Sequence, residues 1–99
     1  MEKYQIDVTV DAKVDLKFYA VFEQRVITAG IRVHLAVQPA LATKNRKPLR
    51  SHPIASWELR IGKYRIFYEV DEAAHVVTIV SIGHKEHNAL FVRGKEVPI

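Results

Sequence analysis

The chain has no cysteine. Disulfides and thiolate zinc sites are therefore excluded, and the composition suits a reducing compartment, so a cytoplasmic location is expected. No apolar run approaches the length of a bilayer-spanning helix, so no membrane association is expected. The opening MEKYQIDVTV has neither the long apolar core nor the small-residue cleavage site of a signal peptide. Several catalytic signatures are missing as well. There is no glycine-rich phosphate loop, no G-x-S-x-G, and no Ser/His/Asp set singled out by spacing. Internal repeats and low-complexity tracts are absent. What remains is an ordinary globular composition of 99 residues, 48% hydrophobic and 26% charged, read as one domain over residues 1–99.

Charge is unevenly placed. The net charge is +4, yet residues 1–40 carry five basic and five acidic side chains and cancel. From Lys44 to Arg65 there are seven basic residues (Lys44, Arg46, Lys47, Arg50, Arg60, Lys63, Arg65) against one acid, Glu58. A local excess of that kind favours a polyanionic partner, nucleic acid first and an acidic protein segment second.

The periodicity predicts an α+β fold of order β-α-α-β-β-β with a short tail: a small antiparallel sheet with the N-terminal helices on one face. Tyr4 to Val10 alternates as a strand, and Asp11 is the expected cap of one or two helices reaching about Val37. Gly30 should weaken that helix by about 1 kcal/mol relative to alanine. Gln38-Pro39 begins the exit, since a residue before proline avoids the helical region. Residues 40–56 read as an irregular basic connection, and Val76 to Ile82 as a further central strand. The tail from Asn88 is open between a helical turn and a short strand at Leu90 and Val92.

WELRIGKYRIFYEV, residues Trp57 to Val70, reads as a hairpin turning at Gly62-Lys63. Pairing Ile61 with Tyr64 gathers Trp57, Leu59, Ile61, Tyr64, Ile66 and Tyr68 on one apolar face. It also sets Arg60 opposite Arg65 on the other, an unfavourable pairing unless an anion neutralises it. With Val70 opposite Val76, Arg65 falls near Ser81, with Lys85 in phase. That outer face is then cationic at one end and apolar at the other, through Phe67, Val77 and Ile79. Arginine forks suit phosphate. His84 and His87 flank this end and are candidates for proton transfer. Without a cysteine or an evident third ligand they do not make a metal site, and no metal or cofactor is expected. His52 in the basic loop is a weaker candidate.

Lys47-Pro48-Leu49, the hairpin Leu59 to Arg65, Tyr68-Glu69-Val70, and a valine-rich strand ending Ile82-Gly83-His84-Lys85 together resemble toxins of the RelE/ParE superfamily from bacterial type II toxin–antitoxin modules. The similarity is closest from Lys47 to Lys85 and looser over the preceding β-α-α part. In the RelE branch it implies a metal-independent endoribonuclease that cuts mRNA on the ribosome. There the RNA 2′-hydroxyl attacks the adjacent phosphate and basic side chains stabilise the transition state. Arg65 matches the family's hairpin arginine, Arg60 a basic residue on the preceding strand, and Lys85 the basic residue after the glycine. Lys44, Arg46, Lys47, Arg50 and Lys63 are the candidate RNA-binding residues. Two positions depart: Glu58 replaces a second basic residue, and Phe91 replaces a tyrosine found in many active members. His84 or His87 would then move protons, or Glu58 would act as base. The ParE branch inhibits DNA gyrase instead, which leaves a non-nuclease alternative. Either branch implies a cognate antitoxin with a segment that folds onto the toxin, expected near Phe67, Val77 and Ile79 or on the helices.

Overall fold

Thr9 sets the first boundary of the computed structural model, which describes residues 3–98. Its hydroxyl accepts the Ala12 N–H at 3.1 Å and caps helix α1, Val10–Lys17. The sequence puts that cap at Asp11; the structure puts Asp11 in the first helical turn, where a carboxylate complements the helix dipole. Strand β1, Gln5–Val8, therefore ends before Val10. The Ala20 N–H donates to Glu23 Oε2 at 3.1 Å and opens α2, Val21–Leu35, which buries Ile27, Ile31 and Leu35 along one stripe. Gly30 has a packing reason. A Cβ there would overlap the side chain of Ile61, so the glycine that weakens the helix locally also lets α2 approach the sheet.

Among the described residues seven strands form one sheet. In chain order β1 is followed by β2 (Arg46–Pro48), β3 (Trp57–Ile61), β4 (Tyr64–Asp71), β5 (Val76–Glu86), β6 (Ala89–Val92) and β7 (Lys95–Val97). Strands β2 to β7 lie side by side in sequence order and antiparallel, while β1 pairs with β5 in parallel. The basic connection thus contains a strand, and the tail is a two-stranded hairpin rather than a helical turn. Both helices pack on one face, giving the α+β arrangement the periodicity predicts. Leu59, Tyr64, Ile66 and Tyr68 are buried against them, with Trp57 and Ile61 half-buried at the margin. The β3–β4 register is also as read: Trp57 opposite Tyr68, Leu59 opposite Ile66, Arg60 opposite Arg65 and Ile61 opposite Tyr64. Gly62, at φ +56°, supplies the left-handed turn that a side chain would resist.

The next register differs from the expectation. Val70 faces Val77, not Val76, and Arg65 faces Gly83, not Ser81. The alignment slips between Phe67 and Tyr68, leaving Val80 on β5 unmatched, as in a β-bulge. One extra residue reverses which face later side chains occupy. Val77 and Ile79 therefore join the helix-side core, and only Phe67 faces outward. Phe67 is 1% exposed, covered by Ala55 and Leu90, with Leu49, Ile54 and Val92 packed around them. These three residues are buried by the chain itself, so they are not the antitoxin seat the sequence suggests. Exposed apolar side chains lie on the helices instead, among them Val14, Phe22, Val26 and Val33, with Phe18 at the end of α1.

Strand β5 runs to Glu86, past the Gly83-His84 end read from the sequence. Its second edge is shared: β1 covers Val76 to Ile79 and β6 covers His84 to Glu86. In the gap, the Ile82 N–H donates to Asp15 Oδ2 at 3.0 Å. Asp15 is 2% exposed, and its Oδ1 lies 2.8 Å from Arg93 Nε, so one carboxylate of α1 completes the sheet edge and ties down the β6–β7 hairpin.

Candidate functional site

On the outer face, rows of side chains run across the strands. Lys47, Glu58, Phe67 and Ser81 form one row, and Arg60, Arg65 and Gly83 form the next. Lys85 follows in phase with Gly83, half-buried and paired with Leu90 of β6. Gly83 must lack a side chain because the Phe91 carbonyl and Leu90 close over it, and a Cβ would overlap that carbonyl. Opposite Arg65 the strand therefore presents no side chain of its own.

The opposed arginines resolve unequally. Arg60 Nε donates to Glu58 Oε2 at 2.8 Å, and Glu58 is 7% exposed. Arg65 has no such partner: among the described residues no carboxylate lies within ion-pair distance of it. Its Nη1 instead donates to the carbonyls of Gly62 at 2.8 Å and Tyr64 at 2.9 Å, while Nε is buried without a hydrogen-bond partner. Desolvation first, and the like charge of Arg60 second, pull the guanidinium below its ordinary pKa, against the attraction of Glu58. It stays cationic at any physiological pH. The result is a fixed, incompletely neutralised cation, aimed by the hairpin turn and flanked by Arg60 and Lys85.

The other predicted residues scatter. His84 points to the helix side, 9% exposed, with Nδ1 2.6 Å from the Tyr19 hydroxyl and its ring stacked on Phe91 at 5.7 Å. It is not on the arginine face. His87 is exposed in the β5–β6 turn at φ 49°. Lys44, Lys47 and Arg50 are exposed. Lys63 is also exposed, on the hairpin turn with Nζ 3.8 Å from Glu23. Arg46 is occupied within the fold. Its guanidinium donates to the carbonyls of Leu41, His34 and Val37, closing the C-terminal end of α2. Sequence reasoning missed Asp15, whose burial nothing in a short polar helix signals. Among the described residues no three His, Asp or Glu side chains converge to hold a metal ion. Among the described residues no helix is long and apolar enough to cross a membrane.

Beneath His84 the helix face carries a polar chain. The Tyr64 hydroxyl donates to Glu23 Oε1 at 2.7 Å, and Tyr19 packs edge-on against both Tyr64 and His84. Burial holds the Tyr19 phenol well above its usual pKa, so it stays protonated while hydrogen-bonded to His84 Nδ1. The Tyr64 bond, then the Ala20 N–H, hold the Glu23 carboxyl below its ordinary value. A carboxyl depressed on folding stabilises above its unfolded pKa, and that contribution is lost as pH falls through the folded value. The melting temperature of Glu23→Gln should therefore vary less than that of the parent between about pH 6 and pH 3. Thermal scans across that interval check it. Tyr64 acts in the opposite sense. Pushed up to about 12 by burial and by Glu23, it contributes below the ordinary phenol value and loses that contribution as pH climbs through about 12.

A search of curated proteins found no match. Solved structures do resemble the chain. The RelBE2 toxin–antitoxin complex of Mycobacterium tuberculosis matches at TM-score 0.75 and 25% identity, over 86% of this chain and 94% of the matched one. The archaeal RelE–RelB complex of Pyrococcus horikoshii OT3 matches at 0.68 and 17%, over 86% and 98%. A free-state mutant of the E. coli toxin RelE matches at 0.62 and 22%, over 85% of each chain. The sequence model described as ParE toxin of type II toxin-antitoxin system, parDE, matches residues 6–89, which is most of the chain. With the helix pair, the largely antiparallel sheet and the arginine hairpin already in place, that match shows that the chain belongs to the RelE/ParE family of type II toxins.

Proposed function

We propose that this toxin is a metal-independent ribonuclease that inhibits translation by cutting mRNA. The observation that supports it is Arg65: pinned by two backbone carbonyls, short of a carboxylate partner, and facing Arg60 across the strand pair. In the reaction, the RNA 2′-oxygen attacks the adjacent phosphorus and loses its proton to a base. The bond to the 5′-oxygen breaks, and that oxygen takes up a proton. The products are a 2′,3′-cyclic phosphate and a 5′-hydroxyl. Arg65 and Arg60 face the phosphoryl oxygens where charge grows, and Lys85 stands at the same end. Glu58 shares their face, so it is a better-placed base than His84, which is sequestered against Tyr19. Lys44, Lys47 and Arg50 add salt-dependent attraction to the RNA backbone. Arg46 is left out of this role.

A second reading has its own support. The matching family is described by its ParE member, Glu58 already engages Arg60, and Phe91 has no hydroxyl to exchange a proton. On that reading the toxin binds a target without cutting RNA, as a gyrase inhibitor would. Induced expression separates the two. A ribonuclease gives translation arrest with mapped mRNA breaks; a DNA-damage response with intact message rejects the nuclease reading. Under both, the partner is a cognate antitoxin, since two of the similar structures are toxin–antitoxin complexes. Its folding segment is assigned to the exposed apolar side chains of α1 and α2.

A further inference from the structure

The loop between β2 and β3 arches over the outer face beside the arginines. It is tied at both ends: the Leu49 N–H donates to the Ser56 carbonyl at 2.8 Å, and the Ser56 N–H to Glu69 Oε2 at 3.0 Å. Ile54 and Ala55 anchor it on Phe67. His52 is held near its crest. Its ring lies 5.8 Å from that of Phe67 and 17° from parallel, an offset stack. Its Nδ1 accepts the Ile54 N–H at 3.2 Å, which sets the ring rotation and puts the proton of the neutral imidazole on Nε2.

Two consequences follow from this geometry. Nδ1 cannot take up a proton without losing the Ile54 bond, so the ring is poorly arranged for acid–base work. Its π-face, by contrast, is well arranged. Phe67 is wholly covered, and His52 is half-buried, so the imidazole presents its side away from Phe67 to the outer face. Phe67 and Arg65 are same-face neighbours on β4, about 7 Å apart along the strand. The His52 ring, seated over Phe67, therefore lies on the same face as Arg65 and toward the other end of that face from the hairpin turn.

We propose that His52 is a nucleobase-stacking platform: a single-stranded RNA base stacks on its free face, continuing the Phe67–His52 stack, while the adjoining phosphate meets Arg65. Histidine is among the side chains that serve RNA bases in this way. The proposal rests on the ribonuclease reading and deepens it, because it says what holds the nucleotide next to the reacting phosphate. It also gives the loop a role separate from its charge.

The test uses the intact toxin and a short single-stranded RNA bearing 2′-O-methyl riboses, which cannot attack, with one 2-aminopurine base. Stacking quenches 2-aminopurine fluorescence. The parent should bind with quenching. His52→Ala should bind about tenfold or more weakly and lose the quench. Its salt dependence should be unchanged, because no phosphate contact is removed. His52→Phe keeps an aromatic plane and should retain affinity within about twofold together with the quench. An unchanged His52→Ala overturns the proposal, and so does a His52→Phe as weak as His52→Ala, which would indicate a hydrogen-bonding role. A parent with no affinity for RNA overturns the ribonuclease reading itself, a different and separately readable outcome.

Discussion

Arg65→Ala is expected to lower RNA cleavage by about a hundredfold or more, the scale of losing one preorganised donor to a developing oxyanion. The expectation follows from what holds the side chain. Two carbonyls of the turn fix Nη1, so the guanidinium is oriented before substrate arrives. Arg60 is bound to Glu58 and its side chain is 44% exposed, so its field at a phosphate is partly cancelled and more screened. Arg60→Ala should consequently cost less than Arg65→Ala. Arg65→Lys should fall between parent and alanine, since an ammonium keeps the charge but not the fork that spans two oxygens. Quantified cleavage of one RNA by the three variants checks the order. If Arg65→Ala cleaves as fast as the parent while Arg60→Ala does not, the assignment of roles is wrong. A melting scan of each variant guards against a collapsed turn.

The same comparison answers why opposed arginines are tolerated on a small sheet. Glu58 offsets one of them, and backbone carbonyls offset the other without cancelling its charge. Glu58 is thus the residue that permits the pair, and under the proposed ribonuclease reading it is also the base.

How legible the fold was depends on where the pattern was redundant. The hairpin from Trp57 to Val70 could be read because alternation, a glycine turn and an apolar face all agree on one register. The β4–β5 register could not. Val76 to Ile82 is apolar or β-branched almost throughout, so moving one residue costs nothing in the pattern, and Val80 bulges without a glycine or proline to announce it. The arginines were placed on the correct face because they lie before the slip on β4; Val77 and Ile79 were misplaced because they lie after it. His84 was drawn to the site by its neighbour Lys85, yet alternation along a strand that continues to Glu86 sends it to the helices. Asp11 and Thr9 both suit a cap, and only the backbone decides between them.

Asp15 is the clearest case of a residue the sequence hides, and its removal should have the largest effect on stability. Asp15→Ala is expected to cost about 3 kcal/mol, from the buried Ile82 N–H left unpaired, the lost Ser81 bond and the lost ion pair to Arg93. For a domain of this size that corresponds to a fall in melting temperature of roughly 10–20 °C. The carboxylate joins three elements: α1 carries it, β5 donates through Ile82 N–H and the Ser81 hydroxyl, and the β6–β7 hairpin contributes Arg93. Arg93→Ala leaves the buried Asp15 carboxylate short of its cation but still bonded to Ile82 and Ser81, so it should cost less, about 2 kcal/mol. Asp15→Asn keeps an oxygen for the Ile82 N–H but loses the charge, and should fall between the two. Urea or thermal unfolding of the three variants gives the ranking. Should Asp15→Ala prove no worse than Arg93→Ala, the ion pair, and not closure of the gap in the β5 edge, is what holds this corner together.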